Sequence, residues 1–188
     1  KAELITSMGN DLLVVNAARV SMDKESKEFT YRKDKPKGSD EGLLEYLASA
    51  GHWTPFSHPQ ICMRETVPIF VARQRFKHMV GFTYNEVSRR YVDDEPEFYV
   101  PDVWRGRSAD KKQGSEGEVK YEGPLGNYNQ LDIYKELLRV GVAPEQARMV
   151  LPQSMMTEWY WTGSLAAFAR VVSQRISEDA QYECRVVA

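Results

Sequence analysis

Residues 59–79 read Pro59-Gln60-Ile61-Cys62-Met63-Arg64-Glu65-Thr66-Val67-Pro68-Ile69-Phe70-Val71-Ala72-Arg73-Gln74-Arg75-Phe76-Lys77-His78-Met79, and the fold class turns on how this stretch divides. Residues 59–67 carry apolar side chains interrupted by Arg64 and Glu65, which reads as a strand. Pro68 then stands at the first position of a helix, where its missing N–H is no loss, and Gly81 ends that helix. With no internal repeat and no domain linker elsewhere, the expectation is an α+β fold: one compact domain over 1–188, its helices packed on a mostly antiparallel sheet.

Working outward, residues 2–5 predict a short strand, and Asn10-Asp11 caps an apolar-rich helix over 12–20. Residues 23–38 are charged and rich in Lys, Asp and Gly; with little to bury, they predict a surface loop with freedom to move. Ser39 caps a helix with an apolar face of Leu43, Leu44, Tyr46 and Leu47, and Gly51 stops it before a dense turn over 51–58. Residues 83–91 read as a polar loop, and 105–126, rich in Gly and charge without periodicity, as a long insertion or lid. Leu131, Ile133, Tyr134, Leu137 and Leu138 mark a helix over 128–140, and Pro144 opens a short one to Leu151. Trp159, Tyr160 and Trp161 lie in a strand over 155–162, Ser164 caps a helix through Ile176, and Ser177 caps a last one.

A formal net charge of -2 and a pI near 6.0 provide no overall field for polyanions, so a small-molecule partner is expected rather than nucleic acid. Cys62 and Cys184 form neither a CxxC pair nor a framework and are expected as free thiols in a reducing compartment. Residues 1–10 lack the apolar stretch of a signal peptide, and apolar runs such as 68–72 are too short to span a bilayer. A cytoplasmic protein is the expectation.

Polar chemistry concentrates in two neighbouring stretches. Arg73 and Lys77 are four apart, as are Gln74 and His78, so their side chains line adjacent tracks of one helix surface. A solvated face with cations at a helix C-terminus has the same pattern. The loop Tyr84-Asn85-Glu86-Val87-Ser88-Arg89-Arg90-Tyr91 offers backbone amides, a hydroxyl, a carboxylate and two guanidiniums, the inventory that holds a phosphate and a sugar. An ordinary polar turn with paired charges has that composition too. His52, His58 and His78 fall near Cys62, but their spacing matches no standard zinc pattern, and no metal is expected. Arg148 interrupts an apolar run, and Arg175 sits among Val171, Val172 and Ile176, which suits either a carboxylate partner or a function. Cys62, in an alternating strand with no sign of a lowered pKa, is not a candidate nucleophile.

These residues, with Met8-Gly9-Asn10-Asp11, Ala17-Ala18-Arg19-Val20-Ser21, Gly51-His52 through Thr54-Pro55-Phe56 to His58, Ala147-Arg148 through Leu151-Pro152, and Trp161-Thr162 through Arg175 to Ala180-Gln181, resemble the flavin-dependent thymidylate synthases in family order over nearly the whole chain. The resemblance implies a homotetramer with shared active sites that methylates dUMP to dTMP, with FAD as cofactor and NADPH and 5,10-methylenetetrahydrofolate as co-substrates. It implies that Gln74, Arg75, Glu86, Val87, Ser88, Arg89, Arg90 and Arg148 hold dUMP. Arg175 falls where the family polarises the uracil, since a guanidinium beside N3 and a carbonyl oxygen stabilises negative charge on the ring, and Ser88 falls on a positioning serine near the pyrimidine. His52, Thr54, Lys77, His78, Met79, Asn85, Glu86 and Ser164 fall on or near flavin-contacting positions.

The chain also departs from the pattern. The family's Arg-His-Arg reads Lys77-His78-Met79, one residue is inserted before Tyr84, and an Asn-Ala-Arg reads Ser164-Leu165-Ala166. Arg170 and Arg75 are expected to replace part of the lost charge in flavin binding. The alternative is a flavin- and nucleotide-binding homologue without turnover.

Overall fold

The computed structural model describes every residue of the chain except Asp93, Lys111 and Gln113, and the backbone but not the side chains of Asn127 and Tyr128. Its centre is the predicted strand, β2 (Gln60–Pro68), between β1 (Ala2–Met8) and β6 (Met156–Ser164); β3 (Phe82–Glu86) lies on the far side of β6. The order is β1-β2-β6-β3 and every pairing is antiparallel, as expected. Alternation along β6 buries Thr157, Trp159 and Trp161 on one face and turns Tyr160 outward. The inner face meets α3 (Ile69–Arg75), α6 (Leu165–Arg175) and α7 (Tyr182–Val187), and Val67, Val71, Ala72, Trp159, Trp161, Val171 and Cys184 form the core. Gly163 keeps β3 close: a Cβ there would meet the Phe82 ring at 2.4 Å.

Flanking this core, α1 (Asp11–Arg19) is capped by the Asn10 side chain and α2 (Asp40–Ser49) by that of Ser39. A second cluster of Leu131, Tyr134 and Ala147 joins α4 (Asn127–Arg139) to α5 (Pro144–Ala147). No helix among the described residues is long and apolar enough to cross a membrane.

Four expectations are corrected. The helix begun at Ile69 ends at Arg75 rather than near Gly81, because Phe82 is drawn into the core, 4.5 Å from the Trp161 ring and 4.9 Å from that of Phe168, so the chain must leave the helix to reach the sheet. The supposed polar loop therefore begins as β3, which pairs with β6. Residues 105–126 contain a hairpin arm: β4 (Trp104–Arg107) pairs with β5 (Ser115–Val119); Lys111 and Gln113 lie outside the described residues. The last helix starts after Gln181, while the Ser177 hydroxyl donates to Asp179.

The 23–38 segment is also anchored, by one buried carboxylate. Asp40 accepts from Arg19 at 2.7 Å, from Ser26 at 2.9 Å and from the Thr30 hydroxyl at 2.8 Å. Burial works against its charge, but hydrogen bonds from Thr30, Ser26 and Arg19 outweigh it and bring the Asp40 pKa down to about 2.

Candidate functional site

Helix α3 separates two grooves and feeds each from a different face. Phe70 and Gln74 face a cavity of about 700 Å³ that is also lined by Tyr99, Arg105, Arg175, Gln181 and Glu183. Ile69, Ala72, Arg73 and Phe76 face a second cavity of about 540 Å³, with Glu86, Val87, Arg89, Glu145 and Arg148.

Arg175, in the last turn of α6, defines the first cavity. Its Nε donates to Nε2 of His78 at 2.8 Å, and Nη2 donates to the Gln74 carbonyl oxygen at 3.3 Å. His78 is buried, and an imidazole nitrogen that accepts a hydrogen bond is unprotonated there. Burial, with the charges of Arg175, Arg75 and Arg170, pushes the His78 pKa below its ordinary value. A neutral partner orients the guanidinium without cancelling its charge. Because α3 ends before His78, Gln74 and His78 share Arg175 rather than one helix surface, contrary to the expected spacing.

Arg75 points elsewhere, and its assignment to dUMP and to flavin is corrected. Only 3 % exposed, it donates from Nε at 2.9 Å and from Nη2 to the two oxygens of Glu65, with its guanidinium carbon 4.9 Å from the centre of the Trp161 ring. Register places Glu65 opposite Trp159 on the inward face of the sheet. Burial pushes the Glu65 carboxyl up from its ordinary range, and Arg75 opposes that shift with two hydrogen bonds.

The second cavity takes its polar wall from β3 and the turn beyond it. Glu86 accepts from the Thr157 hydroxyl at 2.6 Å, and the Val87 N–H donates to the Glu158 carbonyl at 2.8 Å, which ties the turn to β6. Ser88 Oγ accepts from the backbone N–H of Arg90 at 3.3 Å and from its Nε at 3.4 Å. Arg89 donates to the Asp94 carbonyl, and Arg148 Nε to that of Glu145 at 3.3 Å. Arg175 lines the first cavity, and Ser88 lines neither of these two.

A third groove, about 280 Å³, runs between His52, Trp53 and Phe56 and the start of α6 at Leu165, Ala166 and Ala169. Its small, flat, apolar wall beside two exposed aromatic rings fits one part of a planar ring system and is too small for a whole dinucleotide. Thr54 lies exposed in the adjoining turn, and Lys77 and Met79 are exposed after α3. Asn85 is exposed on β3, opposite Tyr160. Ser164 Oγ accepts the Ala167 N–H at 3.2 Å, the helix cap expected of it. Arg170 donates to the Val80 carbonyl at 2.5 Å and so braces the loop after α3. Among the described residues no group of three His, Cys, Asp or Glu converges as metal ligands.

Sequence reasoning left Arg73, Tyr99, Arg105 and Glu183 unassigned. Arg105 reaches the first cavity on β4 of the hairpin arm, and Tyr99 from the segment bridged to Met155. The cue available for Glu183 was its spacing of two from Gln181.

The molecule is thus an α+β protein with an arginine-lined groove on each side of one short helix. A model of the family described as Thymidylate synthase complementing protein matches residues 3–188. The flavin-dependent thymidylate synthase of Thermosipho africanus is 38 % identical over 98 % of this chain and 81 % of its own, and that of Thermus thermophilus 37 % identical over 98 % and 67 %. The crystal structure of a UMP/dUMP methylase, PolB from Streptomyces cacaoi, bound with 5-Br dUMP, superposes with a TM-score of 0.79 at 30 % identity, covering 100 % of this chain and 86 % of that one. The chain belongs to the family of flavin-dependent thymidylate synthases.

Proposed function

We propose that residues 1–188 act as one domain of a cytoplasmic homotetramer that methylates dUMP to dTMP, with FAD as cofactor and 5,10-methylenetetrahydrofolate and NADPH as co-substrates. The observation that carries this reading is Arg175, held at a cavity mouth by a neutral histidine beside Gln74. A guanidinium so placed keeps its full charge for a pyrimidine on which negative charge develops. The cavity volume suits a nucleotide.

Separation of the expected ligands supports a site completed between copies. Gln74 and Arg175 face one groove, while Glu86, Val87, Arg89 and Arg148 face the other. A nucleotide gripped by both sets needs one groove from each of two chains. Exposed apolar side chains at the groove edges, Trp53 at 66 % and Met149 at 79 %, suit burial in such an assembly.

In that assembly Arg89, Arg90 and Arg148 take the phosphate, with the Ser88 turn presenting its amides. Among the described residues Ser88 Oγ meets Arg90 rather than a base, and it acts by position, ordering Arg90. In this reading His52, Thr54, Lys77 and Met79 hold the flavin, with Asn85 and Glu86 reaching it from β3. Bound there, FAD reduced by NADPH supplies the hydride that completes the methyl group.

Protein supplemented with FAD is expected to lose flavin absorbance under anaerobic NADPH, faster with dUMP, and to convert dUMP to dTMP when methylenetetrahydrofolate is added. Bleaching without dTMP would establish the non-catalytic homologue instead, and no flavin binding would sink the reading.

A further inference from the structure

The first cavity is backed by a directed chain of hydrogen bonds that begins at a carboxylate. Glu183, near the start of α7, is largely buried between α7 and the hairpin arm. Its Oε1 accepts from Arg105 of β4 and lies 3.5 Å from the Tyr99 hydroxyl, while its Oε2 accepts from Nε2 of Gln181 at 3.1 Å. Arg105 is locked in turn by Ser115 at 3.0 Å and by the Tyr182 ring, whose centre lies 4.0 Å from its guanidinium carbon.

A carboxylate only accepts. Gln181 must therefore turn its amide nitrogen to Glu183 and its oxygen the other way, and that oxygen accepts from Nε2 of Gln74. Gln74 has one direction left. Its Oε1, to which no described residue donates, is the acceptor it offers to the cavity beside the Arg175 donors. Without Glu183 both amides could turn over at little cost, since each presents a donor and an acceptor of nearly the same shape.

We propose that Glu183, acting through Gln181, fixes the Gln74 amide with its oxygen toward the cavity and so makes the site select uracil over cytosine. This rests on the pyrimidine-nucleotide reading of the cavity. Uracil presents an N3–H donor flanked by two carbonyl acceptors, which an amide oxygen beside a guanidinium complements. Cytosine presents an acceptor at N3 and an amino donor at C4, and it meets like against like. Glu183 is a positioning residue, felt through the polarity of Gln74.

The test is the ratio of dUMP to dCMP dissociation constants, measured by titration calorimetry on the FAD-supplemented protein. Wild type is expected to favour dUMP strongly. Glu183→Gln, whose amide can donate and so frees both neighbours to invert, lowers the ratio by about ten- to a hundredfold, the usual range for one reversed base-edge contact. Moving the carboxylate one link along, in Gln181→Glu/Glu183→Gln, restores acceptance from Gln74 and recovers the ratio, which a merely structural role for Glu183 would not do. Should Glu183→Gln fail to fold, Gln181→Leu breaks the same chain and is expected to show the same loss. A folded Glu183→Gln protein with the wild-type ratio, or a double variant without recovery, overturns the relay while leaving the nucleotide reading intact. Wild-type protein that binds neither nucleotide overturns that reading and the relay with it.

Discussion

Arg75 ends α3 and Arg175 ends α6, and the two meet different partners. Arg75 is paired to a carboxylate, Glu65, and lies over Trp161 with almost no exposed surface. Arg175 is paired to a neutral imidazole at the edge of a cavity. A carboxylate partner cancels the guanidinium charge and makes the pair part of the core; a neutral acceptor orients it and leaves the charge to act outward. Arg175 was legible as an arginine among apolar residues and Arg75 as one cation of a polar run, and only the partner separates their roles.

The largest expected effect lies on the buried side. Glu65→Ala strands a guanidinium in the core and should cost about 3–5 kcal/mol of stability, measured by urea unfolding. Replacing both partners, as in Glu65→Leu/Arg75→Met, should recover most of that loss, because two apolar side chains need no partner there. The double variant should bind dUMP as wild type does. If it binds as weakly as an Arg175 variant, Arg75 reaches the nucleotide and the contrast fails.

Arg175→Ala should reverse the pattern. The unfolding midpoint stays close to wild type, while kcat/KM for dUMP falls by about a hundred- to a thousandfold, the usual loss on removing one group that stabilises developing charge. Arg175→Lys should recover little, since an ammonium is a point charge and cannot serve His78, Gln74 and the ring together from one plane. A variant with lowered stability and unchanged kcat/KM would make Arg175 a second Arg75.

Much of this division was hidden for reasons of chemistry. The strand over 59–67, the antiparallel sheet and the caps at Asn10, Ser39 and Ser164 were legible, because periodicity and capping are local. The end of α3 was not, because polar spacing through His78 continues the helical pattern and the competing pull is Phe82 packing against Trp161, a contact across 79 residues of sequence. Glu65 looked like an interruption of a strand; its meaning depends on Arg75 folding back ten residues later. Residues 105–126 were unreadable, since the hairpin arm is held by Arg105 against Glu183 rather than by an apolar face of its own. Gln74, Arg148 and Arg175 could be named from their motifs, whereas their distribution over two grooves is a property of the folded surface.

The smallest expected effect tests the neutral histidine itself. His78 accepts from Arg175 through Nε2, so protonating that nitrogen removes the bond and sets two cations side by side. Its pKa is depressed in the folded protein by burial and by the neighbouring arginines. The linkage follows from that direction. Above about pH 6.5, the ordinary histidine value, His78 is neutral in folded and unfolded chains alike and pH has no leverage through it. As pH falls through that value the unfolded chain takes up a proton that the folded one refuses, so stability declines until the lower folded pKa is reached and then levels off. Activity follows the folded pKa: kcat/KM should fall on the acid side as His78 protonates and Arg175 loses its anchor. His78→Gln keeps an acceptor for Arg175 and removes the titration, so its kcat/KM at pH 8 should lie within about tenfold of wild type and its acid limb should shift or vanish. An unchanged acid limb in that variant would show that Arg175 does not depend on the charge state of its partner, and the distinction between the two arginines would then rest on burial alone.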